Sequence, residues 1–261
     1  MDRPRLWRAG DVRRFAVTVL PTLVLLLVLE GLKRVGALPV FIPGPGQVLA
    51  AAWAHPALLW DNLLPTAATA AEGFVIAAVA TLAAAGIGTA VRSLWGAVYG
   101  LGVVMHAIPV IATAPLLALW LGTGGVMHVV IVALAAQFPL LVGAMQGLAA
   151  TDARQMEMLH CLSASRWQVF RYLQLPSALP FLFAGFKVAT PLAVLGAVTA
   201  EWAGADRGIG AVMLNALFSY DTVTVWLAVL TCCAVSALAY AAWSLIERTA
   251  LRWNRPAELP T

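Results

Sequence analysis

Apolar residues run along this chain in long blocks separated by short polar breaks. Six blocks, 15–32, 66–89, 97–120, 127–149, 177–200 and 223–246, approach or exceed the about 20 residues that a helix needs to cross a bilayer. The pattern predicts an all-α integral membrane protein with about six transmembrane helices in a single domain, 1–261. The first block is long for a signal-peptide core and no A-x-A-like site closes it, so it is expected to stay as a span. Between the first two blocks, segment 33–65 is mixed. FIPGPGQ (41–47) cannot be helical, because its prolines fix φ and remove donors. QVLAAAWAHPALLW, which follows, has one apolar face with aromatic residues and predicts an interfacial helix. Pro109 and Pro115 fall inside the third block. They would kink that helix or open space along a pathway.

One polar break is too elaborate for a linker. In segment 150–176, Asp152 can cap a helix start with Gln155 three residues on. Met156, Leu159 and Leu162 recur at helical spacing. Ser163-Ala164 interrupts. Ser165 starts a second helix with Gln168 at its third position, Trp167, Phe170 and Leu173 form its apolar stripe, and Arg166 and Arg171 stand apart from it. Pro176 is expected to end it. Two short amphipathic helices meeting at an elbow fit either a surface lying on lipid or a docking element for a partner outside the membrane.

Composition agrees with the blocks. The chain is 62% hydrophobic and 11% charged, with a mean hydropathy of +0.88. A soluble domain has roughly 25% charged residues and could not bury this much apolar surface in one core. The net charge of +4 does not point to nucleic acid, since the arginines are dispersed and no recognition pattern accompanies them. Their placement follows topology instead. Twelve Lys or Arg lie in 1–14, at Arg92, in 150–176 (Arg154, Arg166, Arg171) and in the tail (Arg248, Arg252, Arg255). Three, Lys33, Arg34 and Arg207, lie in the opposite set of loops. The positive-inside bias puts both termini and segment 150–176 in the cytoplasm and segment 33–65 outside.

Cys161, Cys232 and Cys233 make no disulfide framework or metal spacing. His55, His106, His128 and His160 form no ligand pattern and read as interfacial or packing residues. Glu72 and Lys187 stand out inside the spans. Near span ends they would reach the interface by snorkelling, the alternative being a functional role. Lys33 and Lys187 are followed by Arg34 and Val188, so no P-loop lysine is present.

Segment 150–176 resembles the EAA loop of permease subunits of binding-protein-dependent ABC importers. Glu157-Met158-Leu159 takes the E-A-A place, Ser163 the glycine place, and Leu173-Gln174-Leu175-Pro176 closes the motif at matching spacing. Met158 and Leu159 make the docking face bulkier than alanines would. Ser163 stands where the family glycine often has positive φ. FIPGPGQVLAAAW (41–53), IPVIATAPLLALWLGTG (108–124), LSASRWQVFRYLQLPSALPFLFAGFKVA (162–189) and AEWAGADRGIG (200–210) are similar, in order, to segments of the nitrate/sulfonate/taurine-type branch.

The resemblance implies a type I ABC importer permease fold with cytoplasmic coupling helices, in the bacterial cytoplasmic (inner) membrane. It implies no enzyme activity and no cofactor in this chain, with ATP-Mg on a separate ATPase. Partners would be two copies of the ATPase subunit, a second permease chain in a homodimer, an extracytoplasmic solute-binding protein and membrane lipid. Arg154, Met156, Glu157, Leu159, Leu162, Ser163, Arg166 and Trp167 would couple to the ATPase. Glu201 and Asp206 would contact the binding protein or lie solvated, with Gly208 and Gly210 as turn formers. The solute would be sulfonate-, taurine- or nitrate-like, or a heterocycle such as a thiamine pyrimidine precursor; sparse charge in the spans leans towards the heterocycle. A stand-alone secondary transporter would instead need inverted repeats and coupled mid-membrane charges. A membrane enzyme would need a catalytic cluster. The sequence shows neither.

Overall fold

The structure, a computed structural model, describes residues 9–252; side chains before Leu20 lie outside the described residues. The arginines expected at the N-terminal end and Arg255 fall there too. All the regular elements among the described residues are helices. α1 (Ala9–Arg34) covers the first apolar block. The loop after it is pinned back by Glu30, whose carboxylate accepts from the Gly46 N–H at 2.9 Å and from Arg34 Nε at 2.9 Å. α2 (Pro45–Ala54) and α3 (Pro56–Ala90) each begin on a proline, where the missing N–H costs nothing.

Two boundaries differ here from the sequence expectation. The interfacial helix expected over 47–60 is split at His55-Pro56. α3 starts at Pro56 instead of 66 and runs for 35 residues. Proline cannot donate to the preceding turn but can open a new helix, so the chain turns there.

A short turn, Arg92–Leu94, leads into α4 (Trp95–Ala107) and then α5 (Val110–Leu121). The third predicted span, 97–120, is therefore not one straight helix. Its halves are bent by 92° at Ile108-Pro109. Pro109 drives Ile108 to an extended conformation (φ −75°, ψ 122°) and supplies no N–H to carry the ladder across. Pro115, in contrast, sits within α5.

α6 (Gly125–Ala149), α7 (Ala153–Cys161), α8 (Arg166–Val169), α9 (Leu175–Trp202), α10 (Ile209–Phe218) and α11 (Thr222–Ala250) complete the chain. Pro176 does not end the helix that starts at Arg166. A π turn, Phe170–Gln174, joins α8 to α9, giving one helical rod of 37 residues. In a regular helix the ring of Pro176 would meet the carbonyl four residues earlier. The wider π turn just before it changes the hydrogen-bonding register and makes room.

Among the described residues four helices are long and apolar enough to span a membrane: α3, α6, the α8–α9 rod and α11. They become five when the bent pair α4–α5 counts as one. The core lies on the α6–α9 seam, with α3 against both. Ala70 and Ala77 of α3 meet Val132, Ala136 and Leu140 of α6 and Ala189, Ala193 and Ala197 of α9. Small residues let these backbones approach closely, which is how helices gain contact when lipid removes the hydrophobic drive. A Cβ on Gly143 would lie 2.8 Å from the Phe181 carbonyl oxygen, and one on Gly185 would lie 2.9 Å from that of Pro139. α11 joins through Phe74, Phe183, Phe186 and Trp243, whose rings lie 4.8 to 6.3 Å apart.

Candidate functional site

Segment 150–176 is held by local hydrogen bonds that its sequence supplies. Asp152 Oδ1 accepts from the Arg154 N–H at 2.9 Å and starts α7. Ser165 and Gln168 form the reciprocal capping box of α8: the Ser165 N–H donates to Gln168 Oε1 at 2.7 Å, and the Gln168 N–H donates to Ser165 Oγ at 3.3 Å. Between them the Ser163 N–H donates to the His160 carbonyl at 2.9 Å and the Ala164 N–H to that of Leu159 at 3.0 Å. This pair of bonds is a Schellman ending with Ser163 at the residue beyond the cap. Ser163 has φ +55°, the left-handed region where a glycine is at ease and a side chain is strained.

Exposure then divides the expected coupling residues. Arg154, Glu157 and Arg166 are exposed, and among the described residues none of them is in an ion pair. Leu162 is 70% exposed and Trp167 65%, with the Trp167 ring stacked on Phe170 at 5.7 Å. Met156 departs from the expected face. It is half-buried, as is Leu159, and lines a cavity with Leu148 and Val169. Met158, absent from the expected apolar stripe, is 59% exposed. The outward apolar face is thus Met158, Leu162 and Trp167.

The other end of the molecule holds a polar network that the sequence reading did not assemble. Glu201, expected at an outer contact surface or in solvent, is only 3% exposed. Its carboxylate accepts from Thr66 Oγ1 at 2.7 Å and from the Gly210 N–H at 2.6 Å. Thr66 Oγ1 accepts in turn from the Ile209 N–H at 2.9 Å, and Asn62 Oδ1 from the Gly208 N–H at 3.0 Å. Three side chains from α3 and α9 thereby satisfy the first free N–H groups of α10, as a helix start requires. An acid also suits the positive end of a helix. Glu201 is buried because the groups it serves are inside the protein. Gly208 (φ +127°) has its α-carbon against the Glu201 carboxylate, leaving no space for a Cβ. Asp206, in the turn before α10, is exposed. Asn62 and Thr66, one helical turn apart in an otherwise apolar stretch, were the signal for the network.

Lys187 also departs from expectation. It lies well inside α9 and pairs with Glu247 of α11, Nζ to Oε2 at 2.7 Å, with Tyr240 beneath its ammonium at 5.9 Å. A partner on the neighbouring helix makes snorkelling unnecessary. Glu72 is exposed near the middle of α3. Beside the Ile108-Pro109 break, the His106 ring stacks on Phe138 at 4.4 Å and 10°. Both line a cleft of about 390 Å³ between α4, α6 and α9, with Gln146 further along it.

Residues 80–252 match the family model for the binding-protein-dependent transport system inner membrane component. The chain is 32% identical over 254 residues, 95% of each chain, to the riboflavin transport system permease protein RibX of Chloroflexus aurantiacus. It is 30% identical over 239 residues to the formylaminopyrimidine transport permease protein ThiX of Halalkalibacterium halodurans, covering 89% of this chain and 94% of that one. In fold it resembles a chain of the MetNI methionine ABC transporter in an inward-facing conformation, with a TM-score of 0.57 at 20% identity, covering 77% of this chain and 97% of that one. The chain belongs to the binding-protein-dependent inner membrane components, the multi-pass permease subunits of ABC importers, which are not enzymes and whose ATPase is a separate subunit.

Proposed function

We propose that this chain is one of two identical permease subunits in an ATP-driven importer that carries a small nitrogen heterocycle into the cytoplasm. Two ATPase subunits dock on α7 and α8, and an extracytoplasmic binding protein delivers solute at the opposite end. Both termini and segment 150–176 are cytoplasmic, segment 33–65 lies outside, and α1 is a further span. The single domain runs over 1–261, and no cofactor is held by this chain. The observation that carries the reading is the continuous rod from Arg166 to Trp202. A capped surface element with an exposed apolar and charged face is built directly onto a core span, so a push on that face moves the span.

Glu157, Arg154 and Arg166 make the polar contacts of the docking face; Met158, Leu162 and Trp167 pack. Asp206 is the exposed acid offered to the binding protein. The break at Pro109 lets α5 swing relative to α4, while Pro115 loosens α5 internally. The heterocycle reading draws support from two relatives named for riboflavin and formylaminopyrimidine transport and from the stacked His106–Phe138 pair.

Co-expression with the cognate ATPase tests the proposal. The expected product is a complex of two permease chains and two ATPase subunits that hydrolyses ATP, whereas the permease alone hydrolyses none. Glu157→Lys reverses a charge at the docking face, where close pairs couple by about 1.5–7 kcal/mol. It should abolish uptake while membrane expression and solute preference persist. Normal uptake in this variant would remove the docking role from α7.

A further inference from the structure

A cavity of about 790 Å³ lies between the coupling segment and the ends of the spans. Three basic side chains reach it from three elements: Arg92 from the turn between α3 and α4, His160 from α7 and Arg166 from α8. Thr89 and Gln174 add hydrogen-bonding groups, and no aspartate or glutamate lines it. Neither arginine is in an ion pair or a side-chain hydrogen bond among the described residues. The remaining wall is apolar, with Leu148, Val169 and Phe170. A second hollow adjoins it, sharing Thr89, Arg92, Leu148 and Gln174 and adding Trp95.

Two guanidinium groups without an ion pair lining one cavity suit a multivalent oxyanion. Guanidinium groups bind phosphate through paired, charge-assisted hydrogen bonds. The apolar wall on the span side gives room for the start of an acyl chain. Basic pockets between membrane helices on the cytoplasmic side hold acidic lipid headgroups for this reason. We propose that this cavity is a phosphate-binding site, occupied by the headgroup of an acidic phospholipid or by a soluble phosphate. An occupant would join Arg92 at the α3–α4 turn to Arg166 at the foot of the α8–α9 rod. It would thus stiffen the joint through which the coupling segment acts. The site is separate from the choice of solute and shares Arg166 with the proposed docking face.

The test is native mass spectrometry of the full-length chain, purified in the assembly it forms, stripped of lipid and titrated with phosphatidylglycerol, phosphatidylcholine or inorganic phosphate. Three versions are compared: the unaltered protein, Arg92→Gln/Arg166→Gln, and Gly86→Leu. Gly86 lines the cavity, and a Cβ there would meet nothing within 4 Å. The leucine therefore adds bulk to the cavity wall without removing charge.

Binding of phosphatidylglycerol well above phosphatidylcholine, weakened by about 30-fold in the double variant and comparably in Gly86→Leu, identifies a lipid headgroup site. Binding of inorganic phosphate with the same losses, and no preference between the lipids, identifies a soluble phosphate as the occupant. Equal retention of both lipids with no phosphate binding, or binding indifferent to both sets of substitutions, overturns the site. Gly86→Leu keeps the test decisive should the charge variants fail to fold.

Discussion

Ser163 and Glu201 show how much one residue can carry at either end of the molecule. Ser163 turns the chain through the left-handed region, a conformation that costs most residues about 1 kcal/mol more than glycine. Ser163→Gly should therefore raise the resistance of the elbow to limited proteolysis and leave uptake intact. Ser163→Val should lower both, since a β-branched residue is a poor fit at φ +55°. Glu201 sits at the meeting point of α3, α9 and α10 and accepts two hydrogen bonds. In Glu201→Gln the amide end faces one of the former donors. The unsatisfied group should cost about 1–3 kcal/mol, read as a lower unfolding temperature in detergent. Thr66→Val should cost a similar amount, and the double variant less than the sum, because both changes dismantle one network.

At the scale of elements, the sequence showed most helices and misjudged several of their ends. Apolar blocks announce that a span exists, because bilayer thickness imposes a length on them. Caps announce where a helix outside the membrane starts: Ser165 closes its box with Gln168 as the spacing dictates, whereas Asp152 caps through the Arg154 N–H and makes no box with Gln155. Prolines were harder. Pro109 breaks a span, Pro56 opens one, and Pro176 is absorbed by a π turn. The residue type is the same each time, and the outcome depends on the hydrogen-bond register of the neighbouring turn, which a linear pattern does not reveal. α10 was missed altogether: its ten residues are too few for a span, and its start depends on side chains more than 140 positions away for two of its three bonded N–H groups. Partnerships such as Lys187 with Glu247 escape for the same reason. The π turn itself gives a sharp prediction. Deleting Tyr172 removes one residue from it and should rotate α8 and the docking face by about 100° relative to α9. Membrane insertion should persist, and ATP hydrolysis should no longer respond to the loaded binding protein.

For the molecule as a whole, the question is which face meets which compartment. The arginine and lysine bias predicts an orientation with Asp206 outside and Arg166 inside. In a background lacking Cys161, Cys232 and Cys233, a membrane-impermeant thiol reagent applied to intact cells should modify Asp206→Cys and spare Arg166→Cys. The reverse pattern would invert the orientation and place the coupling segment beyond the reach of ATP. The two ends differ in character as well as in side. The end near Glu201 is tied together by the Asn62, Thr66 and Glu201 network, whereas at the end near Arg166 the side chains of Arg92 and Arg166 line an open cavity and make no ion pair among the described residues.

The rod from Arg166 to Trp202 has a mechanical consequence. Its 37 residues correspond to a length of about 55 Å. It lies against α6 over a seam of glycine and alanine, where backbones touch and little compliant side chain intervenes. Such a body behaves as a lever more than as a spring. A tilt of about 5° at its foot sweeps its far end by about 5 Å, comparable to the width of a small planar molecule. A displacement of that size at the Trp202 end can therefore come from a movement at the Arg166 end too small to disturb the packing along the way.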